Sequence, residues 1–132
     1  MERLYYDNGF VKVYYLEDLK AGVGRWKGFI SGKDYRNALD KAAELFKEKG
    51  IGKWIANLSE METITDEDQK WANEDWFPRA LQAGLKRLAI IVGADVFNQM
   101  SVEQIMNNVE SLDLTTQYFD SEEKAKAWLA TQ

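Results

Sequence analysis

The side chains with the most chemical potential in this chain lie in one stretch, from Thr65 to Pro78. Two tryptophans in this stretch are flanked by five carboxylates: Asp66, Glu67, Asp68, Glu74 and Asp75. Paired carboxylates can act as acid and base, or they can bind a hard cation. Acidic side chains near a helix start are more often partners of the helix dipole, and helical spacing alone does not place two carboxylates in contrasting environments. We therefore predict no catalytic or metal-binding residue in this stretch.

The residue types that most often carry catalysis and metal binding are missing. The chain contains no cysteine and no histidine. Zero cysteines exclude disulfides, thiolate metal ligands and cysteine nucleophiles, and zero histidines remove the most common general base. We expect a protein that is not an enzyme and that uses no cofactor.

Charge and hydropathy narrow the classes of partner. The chain has 17 basic and 22 acidic residues, a net charge of −5, which argues against a dedicated nucleic-acid binder because phosphate neutralisation needs a clustered cationic surface. No apolar run approaches the roughly 18 residues of a membrane span, and the first residues lack the apolar stretch of a signal peptide. We expect a cytoplasmic protein whose 132 residues form one domain, residues 1–132.

The elements that position the acidic stretch begin with strands. Phe10–Leu16 and Val23–Ile30 are β-branched and aromatic runs separated by turn-prone residues, which predicts an antiparallel pair. Leu4–Tyr6 predicts one more short strand ahead of them. Asn8 and Gly9 follow it, and this dipeptide favours a two-residue hairpin turn.

After these strands, helices and strands alternate. Helical spacing predicts an amphipathic helix over Asp34–Lys49, and short apolar runs predict buried strands at Lys53–Leu58 and Arg87–Val92. A capping box predicts that another helix starts at Ser101, and Thr115–Phe119 predicts a last strand before a final helix. This order predicts an α/β fold with a mixed central sheet, in which the N-terminal strands are antiparallel and right-handed crossovers join the later ones.

The acidic stretch itself predicts a helix with two apolar faces. At about 100° per residue, Trp76 shares one face with three alanines. Trp71, Phe77 and Leu81 lie on another face. One face suffices to cover the sheet, so the other is available to a subunit, a partner or a ligand. The candidate partner or ligand surface comprises Trp71, Phe77, Leu81, Trp76 and Met61.

The alternative is that loops and neighbouring helices cover both faces. Large aromatic side chains are usually part of the core. In addition, Pro78 removes a helical donor and clashes near Glu74, so the segment is interpreted as two helices that meet there.

Several short motifs carry a resemblance to a known family. The motifs are Trp26-Lys-Gly-Phe29, Lys53-Trp-Ile-Ala-Asn-Leu58 running into an acidic helix start, Asp68-Gln-Lys-Trp71, Trp76-Phe-Pro78, and the closing Tyr118-Phe-Asp-Ser and Ala127-Trp-Leu129. Together with the order of elements they resemble the SpoIIAA-like (STAS-type) superfamily, in particular its small stand-alone bacterial members, most of them without an assigned function. The resemblance covers nearly the whole chain. It implies a non-catalytic module, since the anti-sigma-factor antagonists of this superfamily bind a partner kinase.

The resemblance also points to one regulatory position. The antagonists are switched by phosphorylation of a serine at the start of the helix after the Asn-Leu strand, and this position corresponds to about Thr65 or Asp66. Their Asp-Ser-Ser-Gly-like signature is replaced here by Thr65-Asp-Glu-Asp68, which contains no serine. Thr65 is also explained as a helix cap, and a phosphate beside three carboxylates would be repelled. Thr65 and Asp66 are therefore weak candidates for regulation.

Three function classes remain open at this point, and an enzyme ranks last among them. The first is a regulatory or protein-interaction module that binds a protein partner or a second copy of itself as a homodimer. The alternative is a carrier of a lipid or another apolar small molecule, held in a cleft beside the Trp-rich helix, because related α/β lipid-transfer domains share this general topology.

Overall fold

The computed structural model describes residues 1–93, 96–109 and 112–132, with residues 96–98 described by their backbone alone. Six strands form one sheet in chain order: β1 (Glu2–Asp7), β2 (Val11–Leu16), β3 (Ala21–Gly28), β4 (Lys53–Met61), β5 (Arg87–Val92) and β6 (Thr115–Phe119). The pairs β1–β2 and β2–β3 are antiparallel, and the pairs from β3 to β6 are parallel. This arrangement confirms the predicted mixed α/β sheet.

Three crossovers place their helices on one face of the sheet. The helices are α1 (Gly32–Lys49), α2 (Asp66–Trp71), α3 (Phe77–Gln82), α4 (Val96–Val109) and α5 (Glu122–Leu129). A π-helical turn, Ala72–Trp76, joins α2 to α3 without a break. Each crossover connects neighbouring parallel strands in the same direction along the sheet, so right-handed connections bring α1, α2–α3 and α4 to the same face. The helix α5 packs on the opposite face.

The larger apolar core lies beneath α1 to α4. Phe46 and Trp54 are fully buried there and meet edge to face, with ring centroids 5.4 Å apart. The Trp54 indole packs directly on the backbone of β3, because Gly22 and Gly24 have no side chains. A Cβ at Gly24 would lie 2.7 Å from Trp54 Cζ2. The smaller core, under α5, is built from aliphatic side chains of the central strands.

The helix boundaries follow their capping residues. The helix α1 begins two residues before the predicted Asp34 and ends where Gly50, at φ +62°, donates its N–H to the Phe46 carbonyl. Thr65 caps α2 as predicted, since its Oγ1 accepts the Asp68 N–H at 3.2 Å.

The β1–β2 connection is longer than predicted. Residues 8–10 form the loop, and of them only Gly9 has a positive φ, at +89°. The Asn8 side chain accepts the N–H groups of Phe10 and Val11, each at 2.9 Å. The two-residue hairpin prediction is therefore wrong. Asn8 acts through its side-chain oxygen rather than through a positive φ.

The predicted start of a helix at Ser101 is also wrong. Ser101 lies inside α4, which is described from Val96 onward. Its Oγ accepts the Ile64 N–H at 3.2 Å, so this buried hydroxyl holds the loop before α2. A serine within a helix is tolerated when its hydroxyl has such a partner. In the part of the chain that the structure describes, no helix is long and apolar enough to cross a membrane.

Candidate functional site

The helix starts gather at one edge of the sheet, where β3 to β6 end. We call this the carboxyl edge. It comprises the loops 29–31, 62–65 and 120–121 with the first turns of α1, α2, α4 and α5. Ligands of open α/β sheets bind outside the carboxyl ends of the parallel strands, because the loops there are free to vary. The antiparallel β2 begins at this edge, so the β1–β2 loop lies there as well.

A buried carboxylate joins two helix starts at the carboxyl edge. The Oδ2 atom of Asp68 accepts the Gly32 N–H at 3.0 Å and the Thr65 hydroxyl at 2.9 Å. Its Oδ1 lies 3.4 Å from Arg36 Nε. A buried carboxylate needs such donors to replace its contacts with water. Asp68 therefore ties the start of α1 to that of α2. Burial raises the pKa of the Tyr35 phenol, and the nearby Asp68 charge raises it further.

The two candidate regulatory residues differ in accessibility. The Thr65 hydroxyl is fully engaged, since it accepts from the Asp68 N–H and donates to the Asp68 carboxylate. A phosphate there would break both bonds and face a buried negative charge. Asp66 is exposed at the first turn of α2, where the helix dipole favours an acidic side chain.

Exposed aromatic side chains flank the start of α1. Phe29 follows β3 and is 46% exposed, whereas its neighbour Ile30 is buried. Phe10 is 42% exposed, and its carbonyl accepts the Lys27 N–H at 2.8 Å, which places it beside the end of β3. The sequence pattern predicted Phe29 as part of a strand over Val23–Ile30, whereas β3 ends at Gly28. The sequence signal for this exposure was Gly28, which ends the strand at φ +73°. Of the two apolar residues that follow it, Ile30 is buried and Phe29 is exposed.

One exposed methionine also lies at the carboxyl edge. Met100 in α4 is 51% exposed. It adjoins Ser101, whose hydroxyl binds the Ile64 N–H in the loop before α2. The carboxyl edge therefore carries apolar side chains from three separate parts of the chain.

The structure buries most of the predicted aromatic surface. Trp76, Phe77 and Met61 are between 2% and 5% exposed. The π turn explains why two successive aromatics both face inward. Its wider turn, in which the Phe77 N–H donates to the Ala72 carbonyl, brings Phe77 round beside Trp76, and their ring centroids lie 4.9 Å apart. These three residues are inaccessible to a protein partner.

The other two members of that surface are half-buried. Leu81 lies on α3, and Trp71 lies at the end of α2. The guanidinium carbons of Arg36 and Arg79 are 5.4 Å and 5.6 Å from the Trp71 ring centre, within cation–π range. Asp40 also binds Arg79, at 2.8 Å, and this hydrogen bond is the main cause of the raised Arg79 pKa. Trp71 thus presents paired charges rather than an open apolar face.

The buried aromatics line a small apolar cavity between the sheet and the helices. Its volume is about 60 Å³. Its walls include Trp26, Tyr35, Met61, Trp76, Phe77 and Met106. A cavity of roughly 150 Å³ holds benzene, and small-molecule pockets usually measure about 300 to 1,000 Å³. The cavity is therefore far smaller than the acyl chain of a lipid requires.

The most connected polar cluster lies on the α5 face. Arg25 donates from Nε and Nη2 to the two oxygens of Glu122, at 2.9 Å and 2.8 Å, and it also binds Glu2. Asn57 is a further donor to Glu122. The hydrogen bonds from Arg25 lower the pKa of both glutamates. Because these hydrogen bonds join Glu2 of β1 and Glu122 of α5 to the central strands, the cluster fastens β1 and α5 to the sheet.

The sequence profile of the SpoIIAA-like family matches residues 23–130, most of the chain. This chain belongs to the SpoIIAA-like family. A crystal structure of an uncharacterised DUF3478-family protein with a SpoIIAA-like fold, from Shewanella loihica PV-4, is similar to it. The identity is 14%, the TM-score is 0.57, and the match covers 98% of this chain and 92% of that chain. At this identity the likeness shows the fold alone. No curated protein matches the chain.

The predicted residues of this SpoIIAA-like protein separate into three groups, one of which is the half-buried pair Trp71 and Leu81. Thr65 and Asp66 lie at the carboxyl edge, in the region of the exposed Phe10 and Phe29. The buried members of the aromatic set lie inside the core and line the cavity. In the described residues, no three carboxylates lie close enough to hold a metal ion.

Proposed function

We propose that this SpoIIAA-like protein is a non-catalytic regulatory module that binds a partner protein at the carboxyl edge of its sheet. One observation carries this proposal. Three of the six large apolar side chains that stay exposed among the described residues lie at this edge: Phe10, Phe29 and Met100. Grouped apolar side chains on a soluble protein mark contact sites, and Phe and Met are enriched in interface centres.

Hydrogen bonds hold part of this edge in place, which favours binding. Asp68 holds the starts of α1 and α2 together through the Gly32 N–H and the Thr65 hydroxyl. Ile30 anchors the loop that presents Phe29. A surface that is ordered before binding loses less conformational entropy on association.

Charged residues complete the proposed contact surface. Lys27 and Lys33 are exposed near Phe29, and Asp66 is exposed at the start of α2. A polar rim around an apolar centre is the usual anatomy of an interface. The phosphorylated serine of the antagonists corresponds to this part of the chain. We propose that Asp66 supplies a permanent negative charge there and that Thr65 serves as the cap.

A carrier of an apolar small molecule is the second candidate. The apolar lining of the cavity favours it, whereas the volume of about 60 Å³ argues against a lipid. Native mass spectrometry distinguishes the two functions, because a reproducible adduct on the purified protein would support the carrier. The interaction module predicts a spectrum without one.

Alanine variants at the carboxyl edge test the interaction module. We expect Phe29→Ala and Phe10→Ala to lose a partner that co-purifies with the tagged wild-type protein from its own cells. The free energy of unfolding should fall by no more than about 1.5 kcal/mol, because nearly half of each side chain is exposed. Leu4→Ala is the matched control, since Leu4 is exposed on β1 away from this edge. Retention of the partner by both edge variants, or its loss in the control, would contradict the proposal.

A further inference from the structure

The two outer strands of the sheet, β1 and β6, differ in the features that prevent pairing with a strand of another molecule. β1 carries the charged residues Glu2, Arg3 and Asp7, and its register with β2 shifts between Leu4 and Tyr6. Charges and irregular register are the usual devices that stop a sheet edge from adding another strand. β6 has neither device. Its sequence is Thr-Thr-Gln-Tyr-Phe, and its register with β5 is continuous.

The outer side of β6 is accessible. Residues 115–118 are exposed, and among the described residues β5 is the strand that pairs with β6. The Thr115 N–H donates to the Lys86 carbonyl at 3.0 Å, towards β5. Because successive residues of a strand direct their backbone groups to opposite sides, Thr116 directs its N–H and C=O outward. A second strand in register would meet this donor and acceptor.

We propose that β6 pairs with β6 of a second copy of this chain, antiparallel about a two-fold axis at Gln117. In this register Thr115 lies opposite Phe119, Thr116 opposite Tyr118, and Gln117 opposite itself. Pairs of a β-branched with an aromatic residue stabilise antiparallel strands, and no like charges meet. Because β6 carries no charged side chain, two β6 strands pair without repulsion between like charges.

Strand β6 of a second copy is a better partner for β6 than strand β1 of a second copy is. Pairing β6 with β1 of the next molecule would repeat head to tail and generate an open filament, whereas the β6–β6 contact closes as a dimer. The charges and the shifted register of β1 oppose the head-to-tail contact. The dimer contact is distinct from the carboxyl edge and does not depend on a partner binding there.

Sedimentation velocity with charge variants at the axis tests this dimer. We expect the wild-type protein to form a dimer at micromolar concentration. Gln117→Lys and Gln117→Glu should each raise the dimer dissociation constant roughly tenfold or more, because each places like charges face to face. Mixing the two variants should restore the dimer, since the opposite charges then meet. Gln117 is exposed, so both variants should keep the wild-type unfolding midpoint.

Leu4→Lys on the outer strand β1 is the matched control and should leave the dimer unchanged. A wild-type protein that stays monomeric over the whole concentration range would overturn the proposal. So would a dimer that Leu4→Lys disrupts, or one that neither Gln117 variant weakens. If the mixture fails to restore a dimer that both single variants abolish, the two-fold register at Gln117 is wrong.

Discussion

The aromatic residues between Thr65 and Pro78 lie in different environments. Phe77 is buried beside Trp76, whereas Trp71 is half-buried and lies close to two guanidinium groups. We predict that Phe77→Ala lowers the free energy of unfolding by about 3–5 kcal/mol, the usual cost of truncating a buried aromatic. Trp71→Ala should cost clearly less, because part of its ring already contacts water. Urea unfolding of both variants checks this order, and equal losses would contradict it.

Thr65 is a residue whose structural role can be separated from regulation. We predict that Thr65→Val, which keeps the shape but removes the hydroxyl, costs about 1 kcal/mol of stability through the lost cap. Thr65→Ser should cost only a few tenths of that, because serine caps equally well. Chemical denaturation measures both. A neutral Thr65→Val would mean that the bonds to Asp68 do not stabilise the fold.

The Arg25 cluster makes stability depend on pH. Hydrogen bonds from Arg25 lower the folded-state pKa of Glu122 and Glu2 below the usual 4.5. This stabilisation is present above about pH 4.5 and is lost as the pH falls through the folded-state values. We predict that the wild-type protein loses roughly 1 kcal/mol more than Arg25→Gln between neutral pH and about pH 3, a modest figure because water screens these partly exposed pairs. Identical pH profiles in urea unfolding would contradict the assignment.

At the scale of elements, the π turn allows a proline inside a continuous helical segment. A proline in a regular helix clashes with the carbonyl four residues earlier and costs about 3 kcal/mol. Deleting Glu74, an exposed residue of the turn, should return the segment to regular α-helix and impose that cost through Pro78. The deletion should also move Phe77 away from Trp76, so we predict that Pro78→Ala restores only the part of the lost stability that the proline clash imposes, about 3 kcal/mol.

Thermal and urea unfolding of the deletion, the proline variant and their combination test this coupling. The single Pro78→Ala variant is the control, and it should lie within about 1 kcal/mol of the wild-type protein. If the deletion is harmless, or if the combination is no more stable than the deletion, Pro78 is not the reason for the π turn.

Element types follow largely from local sequence, whereas their exact boundaries depend on distant contacts. The helical spacing after Asp34 and the apolar run Arg87–Val92 predicted their elements because burial on one or both faces leaves a periodic record. The start of α4 could not be predicted, since the partner of the Ser101 hydroxyl is the Ile64 N–H, 37 residues away. The π turn likewise depends on the space that the core offers to Trp76 and Phe77.

At the level of the whole molecule, the mixed pairing of the sheet follows from the order of the elements, whereas the strand order and the candidate site do not. The sequence marks Trp76 and Phe77 as unusual, yet whether a large aromatic is core or surface depends on how many helices cover each sheet face. Three crossovers cover one face here, so both rings are buried. The exposure of Phe29 could not be predicted, because Phe29 and Ile30 are both apolar and only Ile30 enters the core.

The proposed interaction module contacts its partner protein through Phe29 at the carboxyl edge. Site-specific photo-crosslinking in the cells that make the protein tests it most directly, with p-benzoyl-phenylalanine replacing Phe29 and, as a matched placement, the exposed Leu4 of β1. We predict one discrete heterologous adduct on irradiation of the position-29 protein and none from position 4. No adduct at position 29, or the same adduct from both positions, would contradict the account.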